Sequence, residues 1–322
     1  MNGFLKRLSG MVRGKRPLRV VFMGSPEFAV PSLEALNDSD HKILKVYSNP
    51  DRRRGRGSET QPTAVKAKAL ELGLPTGDIE ETNDPALAAE LQKLKPDLLV
   101  VVAFRILPDT LLSIPSRGAI NLHASLLPRY RGAAPIHWAI RNGEYETGCT
   151  VFFLEKEVDT GAVIEQTEVR IDPDETTGEL YERLRHVGAD LLVESIDQIA
   201  AGKVDPAPQE SALASEAPKL FRDDAHIEFK EDAEAVYNHI RSMIPHPGAW
   251  TLYGNQTVHI LRARRGPEID LMPGELIFAE GRYLLVGCRT GTVEIKDLKL
   301  PGKGRISGKD FANSYSFDPG FK

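Results

Sequence analysis

The sequence predicts an α/β fold: a Rossmann-like, mostly parallel sheet with helices on both faces, followed by a small OB-like C-terminal β-barrel. Three observations support this prediction. Short apolar segments alternate with helical segments between Arg19 and Gly202. A stretch rich in Pro, Ala, Ser and Glu covers 205–218, a composition typical of a linker. Short strand patterns separated by turns follow it, which indicates a small β-barrel.

The N-terminal half supplies the predicted parallel sheet. Arg19–Met23 is a short apolar segment bounded by Gly24, the pattern of a buried parallel strand. Ser25 and Pro26 then predict the N-cap and first residue of a helix. The other predicted strands are Ile43–Tyr47, Asp97–Ala103 and Ala119–His123, and the predicted helices are Ala64–Leu72, Asp84–Leu94 and Thr176 to about Gly202, the last opened by a capping box of Thr176 and Glu179.

The C-terminal half is predicted to be rich in short strands. One helix, Asp232–Met243, precedes them. The predicted strands are Ala249–Tyr253, Val258–Ala263, Gly274–Phe278, Arg282–Val286 and Thr292–Leu298. The predicted limits are therefore 1–17 for a basic tail, 18–204 for the first domain, 205–222 for a linker and 223–322 for the β-barrel domain.

Composition excludes several classes of protein. A net charge of −5 argues against general binding of polyanions, so any nucleic-acid contact must come from a local basic patch. Cys149 and Cys288 lie far apart without CxxC spacing, which excludes a disulfide framework or a Cys-type zinc site and fits a reducing cytoplasm. The basic N-terminal residues 1–16 lack a continuous apolar stretch, so they predict neither a secretory signal nor a membrane span.

The most informative stretch covers residues 121–161. Strand alternation places Asn121 and His123 on one face of the sheet. Asp159 is predicted to end a neighbouring strand, and Ala103 ends another. Ligands bind beyond the carboxyl ends of the strands in open α/β sheets, so these residues predict a site at that edge.

An asparagine beside a neutral histidine offers two hydrogen-bond donors to one oxygen. Such a pair stabilises the oxyanion of a tetrahedral intermediate, and loss of one donor typically raises the barrier by about 3–4 kcal/mol. Asp159 could fix the imidazole tautomer, accept a proton from an attacking amine through a water, or both. Ser125 does not lie in a nucleophile elbow and is interpreted as a structural hydroxyl. This chemistry needs no metal.

Three segments closely resemble the methionyl-tRNA formyltransferase family of folate-dependent formyltransferases. They are residues 20–36 (VVFMGSPEFAVPSLEAL), residues 123–135 (HxSLLPxxRGAAP) and residues 146–161, which contain Glu-Thr-Gly and Asp-Thr-Gly. The resemblance extends from about residue 19 to the C-terminus. It implies that 10-formyltetrahydrofolate is the donor, as a co-substrate. The implied acceptor is the α-amino group of methionine on initiator tRNA, in translation initiation.

The same resemblance assigns site residues. The family's catalytic Asn, His and Asp fall on Asn121, His123 and Asp159. Folate binding is implied for Ser125, Leu126, Leu127 and Pro128 and for the backbone of Ala103, Phe104 and Arg105. At the latter place family members often carry Ala-Tyr-Gly, and the loop of this chain is one residue shorter. Phe104 can replace the tyrosine ring, but Arg105 lacks the torsional freedom of glycine.

A basic, Gly-interrupted loop at residues 51–57 is the candidate contact for tRNA. It contains Arg52, Arg53, Arg54 and Arg56. One interpretation is that this loop is only a solvated surface loop. The functional interpretation is that it forms a flexible finger, which contacts phosphates and bases near the acceptor end of tRNA and becomes ordered on binding. The resemblance favours the latter and matches Arg56 best. A second basic surface is predicted on the C-terminal domain, from Arg262, Arg264, Arg265, Lys296, Lys299, Lys303, Arg305 and Lys309.

Other functions remain open from the sequence. A formyltransferase acting on glycinamide ribonucleotide would lack the C-terminal domain, whereas one acting on an amino-sugar nucleotide can keep it and is disfavoured only by the basic loop. A formyltetrahydrofolate hydrolase would use the same three residues with water as acceptor. A tRNA-binding protein with an inactive first domain is disfavoured by the intact Asn121, His123 and Asp159, and a dinucleotide enzyme by the absence of GxGxxG after Gly24.

Overall fold

A computed structural model describes residues 16–53 and 60–322. The strands are β1 (Arg19–Gly24), β2 (Lys42–Ser48), β3 (Arg52–Arg53), β4 (Thr60–Gln61), β5 (Thr76–Asp78), β6 (Leu98–Val102), β7 (Ala119–His123), β8 (Glu146–Phe153), β9 (Val163–Arg170), β10 (Trp250–Tyr253), β11 (Gln256–Arg265), β12 (Leu276–Ala279), β13 (Tyr283–Gly287), β14 (Thr292–Lys299) and β15 (Arg305–Ser307). The α-helices are α1 (Val30–Asn37), α2 (Ala64–Glu71), α3 (Pro85–Leu94), α4 (Asp109–Leu112), α5 (Pro135–Arg141), α6 (Thr177–Ala201), α7 (Ala233–Ser242) and α8 (Gly308–Ser314).

The N-terminal half is built on a seven-stranded sheet with the order β5-β2-β1-β6-β7-β8-β9. Strand β1 runs parallel to β2 and to β6, and β6 runs parallel to β7. Every residue of β6 is buried, as expected for a strand covered on both faces. The predicted Rossmann-like fold class is confirmed.

The carboxyl ends of these parallel strands meet at one edge of the sheet. Gly24 ends β1, Ala103 follows β6 and His123 ends β7. The prediction for Asp159 was wrong, because β8 runs antiparallel to β7 and pairs its last residue, Phe153, with Ile120. Asp159 therefore does not end a strand at this edge; it lies in the loop 154–162 between β8 and β9.

The predicted helix after β1 begins differently from the expectation. A short 3-10 helix, Glu27–Ala29, leads into α1, and no side chain caps it. Ser25 instead accepts a hydrogen bond from the Asn49 N–H at 3.0 Å. The capping box that opens α6 is confirmed: the Thr176 N–H donates to the Glu179 carboxylate at 2.8 Å, and the Glu179 N–H donates to the Thr176 hydroxyl at 3.4 Å.

The C-terminal half forms a six-stranded antiparallel sheet. Its order is β10-β11-β14-β13-β12, and β15 pairs with β14. A core of buried side chains, including Ile240 of α7, Ile260 of β11 and Phe311 of α8, lies beneath it. This sheet bears out the predicted β-rich C-terminal class, and the five predicted strands all exist with ends shifted by a few residues.

The described residues divide into two compact units. One contains the residues up to Pro128 together with Cys149–Thr167 and Arg185–Leu213. The other contains Arg129–Gly148, Glu168–Leu184 and Ala214–Lys322.

Two tryptophans of the second unit anchor the end of the Pro-rich stretch. The indole N–H of Trp138 donates to the Pro218 carbonyl at 2.8 Å. The indole N–H of Trp250 donates to the Arg222 carbonyl at 2.8 Å. Both rings are half-buried. These hydrogen bonds give both tryptophans a structural role.

Candidate active site

Strand β7 presents the first two candidate catalytic residues. Asn121 pairs with Val101 of β6 on one side and with Phe152 of β8 on the other. Asn121 is half-buried, and His123, two residues on, is 7% exposed. Because both project from one face of an interior strand, their positions are fixed before any substrate binds.

Asp159 reaches His123 from the loop 154–162. The distance from His123 Nδ1 to Asp159 Oδ2 is 3.8 Å, and both side chains are largely buried. Asp159 has a φ of 56°, in the left-handed region that non-glycine residues seldom adopt and that is enriched at functional sites. The fold thus brings these two predicted residues together.

Two contacts hold this loop in place. The Gln209 carboxamide donates to the carbonyls of Asp159, at 2.9 Å, and of Gly161, at 2.8 Å. Gly161 lies directly against β8, where an added Cβ would be 1.8 Å from the Phe153 carbonyl oxygen. The sequence analysis missed Gln209, which carries no local signal within a Pro-rich stretch. Gly161 was visible as part of Asp-Thr-Gly.

The His123–Asp159 pair can transfer one proton and stabilise one developing negative charge. An imidazolium donates from both ring nitrogens, so it can offer one N–H to the Asp159 carboxylate and the other to an oxyanion. The neutral imidazole donates from one of them. The neutral form of His123 can therefore donate either to Asp159 or to an oxyanion, and not to both. The Asp159 carboxylate is an acceptor for a proton released by a nucleophile.

A buried hydroxyl holds the segment Ser125–Pro128. Thr150 of β8 is fully buried; its hydroxyl donates to the Ser125 carbonyl at 2.6 Å and accepts the Leu127 N–H at 3.1 Å. The Gln166 carboxamide donates to the Thr150 hydroxyl at 2.7 Å and to the Leu127 carbonyl at 2.9 Å. The hydroxyl therefore uses its one donor and both acceptor positions. The sequence analysis missed both residues, although a threonine within the apolar strand was an available signal.

Thr150→Val is expected to destabilise this segment. The substitution keeps the shape of the side chain but leaves the buried Leu127 N–H without its acceptor, which costs about 1–3 kcal/mol. We expect a lower free energy of unfolding, measured by urea denaturation, and a higher KM for the predicted donor, 10-formyltetrahydrofolate. Thr150→Ser, which keeps the hydroxyl, is the matched control. Equal donor KM values for the two variants would contradict this role.

The loop after β6 contains the other predicted donor-binding residues. Ala103 is exposed and has a φ of 47°. Phe104 packs against the hydrophobic core of the N-terminal sheet. Arg105 turns to other loops, since its Nε donates to Asn49 Oδ1 at 2.6 Å. The folate contacts of these residues and of Ser125–Pro128 stay predictions.

The structure describes part of the basic loop at residues 51–57. Arg52 and Arg53 form β3, which pairs antiparallel with β4. Arg52 is exposed. Arg54 and Arg56 lie outside the described residues. The contact of these four arginines with tRNA stays a prediction.

The basic surface predicted on the C-terminal domain is partly neutralised. Arg262 and Arg264 are exposed and, two residues apart on β11, share one face. Carboxylates pair with three of the other cations: Arg265 with Glu234 at 2.6 Å, Lys296 with Glu294 at 2.8 Å and Arg305 with Asp297 at 2.7 Å.

Other reactive groups are few in the described part of the chain. It holds no group of three or more His, Cys, Asp or Glu residues that could bind a metal ion. Cys149 and Cys288 are buried, and burial raises the pKa of each thiol to about 12, so neither is a nucleophile at neutral pH. Across residues 16–53 and 60–322, no helix has the length and apolar character needed to cross a membrane.

The fold and the site together define a class of protein. Residues 18–196 match the model of the formyl transferase family, and residues 219–316 match the model of the formyl transferase C-terminal domain. The first match contains Asn121, His123 and Asp159. The second contains α7 and the antiparallel sheet.

Curated relatives narrow this class. The methionyl-tRNA formyltransferase of Moorella thermoacetica is 42% identical over 305 residues, which cover 94% of this chain and 98% of the relative. The methionyl-tRNA formyltransferase of Citrifermentans bemidjiense is 40% identical over 304 residues, covering 94% and 95%. The chain therefore belongs to the methionyl-tRNA formyltransferase family.

Solved structures share the fold at low identity. An N-formyltransferase from Helicobacter canadensis, in complex with folinic acid and dTDP-3-aminofucose, has a TM-score of 0.67 and 20% identity over 86% of this chain and 98% of its own. A variant of HypX from Aquifex aeolicus has a TM-score of 0.64 and 18% identity over 93% of this chain, which spans 49% of that protein. These likenesses support the architecture of both halves.

Proposed function

We propose that this protein transfers the formyl group of 10-formyltetrahydrofolate to the α-amino group of methionyl initiator tRNA, in the cytoplasm, for translation initiation. The observation that carries this proposal is the similarity to two methionyl-tRNA formyltransferases, at 40% and 42% identity over 94% of the chain. The His123–Asp159 pair beside Asn121 gives that similarity a chemical basis.

The proposed reaction is a direct acyl transfer. The methionyl amine forms a C–N bond with the formyl carbon, and the bond from that carbon to the folate nitrogen then breaks. Asn121 and His123 donate hydrogen bonds to the formyl oxygen, which carries negative charge in the tetrahedral intermediate. Asp159 orients His123 and accepts the proton that the amine loses, directly or through a water. Asp159 then returns this proton to the folate nitrogen as it leaves, so the reaction needs neither a covalent enzyme intermediate nor a metal.

In this proposal, the two substrates bind to different parts of the chain. The donor binds along Ser125–Pro128 and the backbone of residues 103–105. Arg52, Arg53, Arg54 and Arg56 contact the acceptor end of the tRNA, through phosphates that Arg recognises well. The proposed domain limits are 18–204 for catalysis, 205–222 for the linker and 223–322 for a second tRNA-contacting surface, with the basic tail before residue 18.

One assay tests the proposal against its rivals. The purified protein is incubated with 10-formyltetrahydrofolate and one of three acceptors: methionyl initiator tRNA, an amino-sugar nucleotide or water alone. We expect formyl transfer to methionyl-tRNA. Transfer to the sugar amine in preference to the tRNA would favour a sugar formyltransferase, the activity suggested by the Helicobacter canadensis neighbour. Release of formate at the same rate in all three would favour a hydrolase.

Arg56→Ala is expected to weaken use of tRNA without affecting the donor. Loss of one phosphate or base contact should lower kcat/KM for methionyl-tRNA about tenfold, the usual size of one charge-assisted hydrogen bond. The KM for 10-formyltetrahydrofolate should stay unchanged. Arg117→Ala, at an exposed arginine before β7, is the control for loss of a positive charge. An unchanged kcat/KM for tRNA in Arg56→Ala would mean that the loop is only a solvated surface.

A further inference from the structure

Arg105 connects three loops at the carboxyl edge of the N-terminal sheet. Its Nε donates to Asn49 Oδ1 at 2.6 Å, and its Nη1 donates to the Glu80 carbonyl. Asn49 directly follows β2, and Glu80 lies two residues beyond the end of β5. Since Arg105 itself follows β6, one guanidinium joins the loops that leave β2, β5 and β6.

Further hydrogen bonds and ion pairs hold the chain near Asn49. Its N–H donates to the Ser25 hydroxyl, just after β1, at 3.0 Å. Asp51, two residues later, pairs with Lys66 of α2 at 2.7 Å. Lys66 also pairs with Asp78, the last residue of β5, at 2.9 Å. The short stretch between β2 and β3 is therefore held by groups from several neighbouring elements, and Arg105 holds the Asn49 side chain.

We propose that Arg105 is a positioning residue that holds the chain at Asn49, the start of the arginine-rich segment, in the place that the acceptor tRNA requires. The inference rests on the proposed function and deepens it. A guanidinium is planar and presents several N–H groups in fixed directions, so one side chain can fix two oxygens from different loops.

The first test compares the KM for methionyl-tRNA with the KM for the donor. Arg105→Ala should raise the KM for methionyl-tRNA about tenfold, as expected for loss of one charge-assisted hydrogen bond. The KM for 10-formyltetrahydrofolate should rise less than the KM for methionyl-tRNA, because the substitution removes the Arg105 side chain and leaves in place the backbone that the proposed donor site uses. Arg117→Ala again controls for loss of charge. A rise in the donor KM alone would overturn the inference.

Two further variants separate positioning from direct contact with tRNA. Asn49→Ala removes the same hydrogen bond from its other side, so Arg105→Ala combined with Asn49→Ala should be no worse than Arg105→Ala alone. Additive losses would overturn the inference. Arg105→Lys keeps the charge but not the planar geometry and should stay impaired. Full recovery by lysine would mean that the charge itself contacts tRNA, which also overturns positioning.

Hydrogen exchange of the free protein gives a readout that does not depend on turnover. In Arg105→Ala, peptides that contain Asn49 should exchange about tenfold faster, since local opening becomes easier by one hydrogen bond. Unchanged exchange and unchanged KM, with an active wild type, would overturn this inference alone. A wild type that does not formylate methionyl-tRNA would overturn the proposed function and the acceptor role of Arg105 together, even if exchange increased as expected.

Discussion

Replacement of His123 by alanine is expected to lower kcat at least about 100-fold, because it removes one of the two predicted donors to the oxyanion. Asn121→Ala should cause a loss of similar size. Asp159→Ala should do the same, because it removes both the proton acceptor and the carboxylate that lies 3.8 Å from His123. Steady-state kinetics with methionyl-tRNA and 10-formyltetrahydrofolate measure each effect.

The losses should come from chemistry and not from unfolding. The three residues are polar, and β7 keeps its backbone ladder to β6 and β8 without their side chains. Urea denaturation should therefore detect a folded protein in each variant. His186→Ala, at an exposed histidine of α6, is the matched control and should keep full activity. Near wild-type turnover in His123→Ala would rule out the proposed catalytic role.

Gly161→Ala is expected to have the second-largest effect, through the backbone and not through lost chemistry. The new Cβ would lie 1.8 Å from the Phe153 carbonyl oxygen and 2.9 Å from its carbon, so the loop 154–162 must move away from β8. Asp159 moves with it, and a displacement of about 1 Å at a catalytic group can lower the rate about 100-fold. Overpacking of this kind also destabilises a fold by about 1–3 kcal/mol.

Gly304→Ala separates this steric effect from a general loss of glycine. An added Cβ at Gly304 has no neighbour within 4 Å. The free energy of unfolding and kcat should therefore stay close to wild type in Gly304→Ala, and both should fall in Gly161→Ala. If Gly161→Ala retained full activity and stability, the close approach to β8 would have no functional importance.

Much of the fold could be predicted because local patterns agree with the final structure. The apolar segment at Leu98–Val102 becomes a fully buried central strand, and the Thr176–Glu179 pair does open the longest helix. Ser25 was assigned wrongly for a physical reason. A serine before proline suits an N-cap, but its hydroxyl finds a tertiary partner in the Asn49 N–H.

In the candidate site too, some residues could be placed from the sequence and others could not. Asn121 and His123 share a strand, so alternation alone places them on one face. Asp159 was placed at a strand end on the assumption that its strand ran parallel to the others. Strand β8 is antiparallel, and the residue reaches His123 through a loop. Sequence patterning does not encode strand direction, since buried strands of either direction can read as apolar segments.

By itself, the sequence determined the residue types of the site, the α/β class and the order of its elements, because these follow from side-chain chemistry and from periodicity along the chain. Only the tertiary structure decided which groups, distant along the chain, hold the site residues and the loops around them. Thr150 and Gln166 hold Ser125–Pro128, and Arg105 reaches Asn49 and Glu80. The physical reason is that a hydrogen bond depends on distance and direction in space, and residues far apart in the chain acquire these only when the sheet has formed.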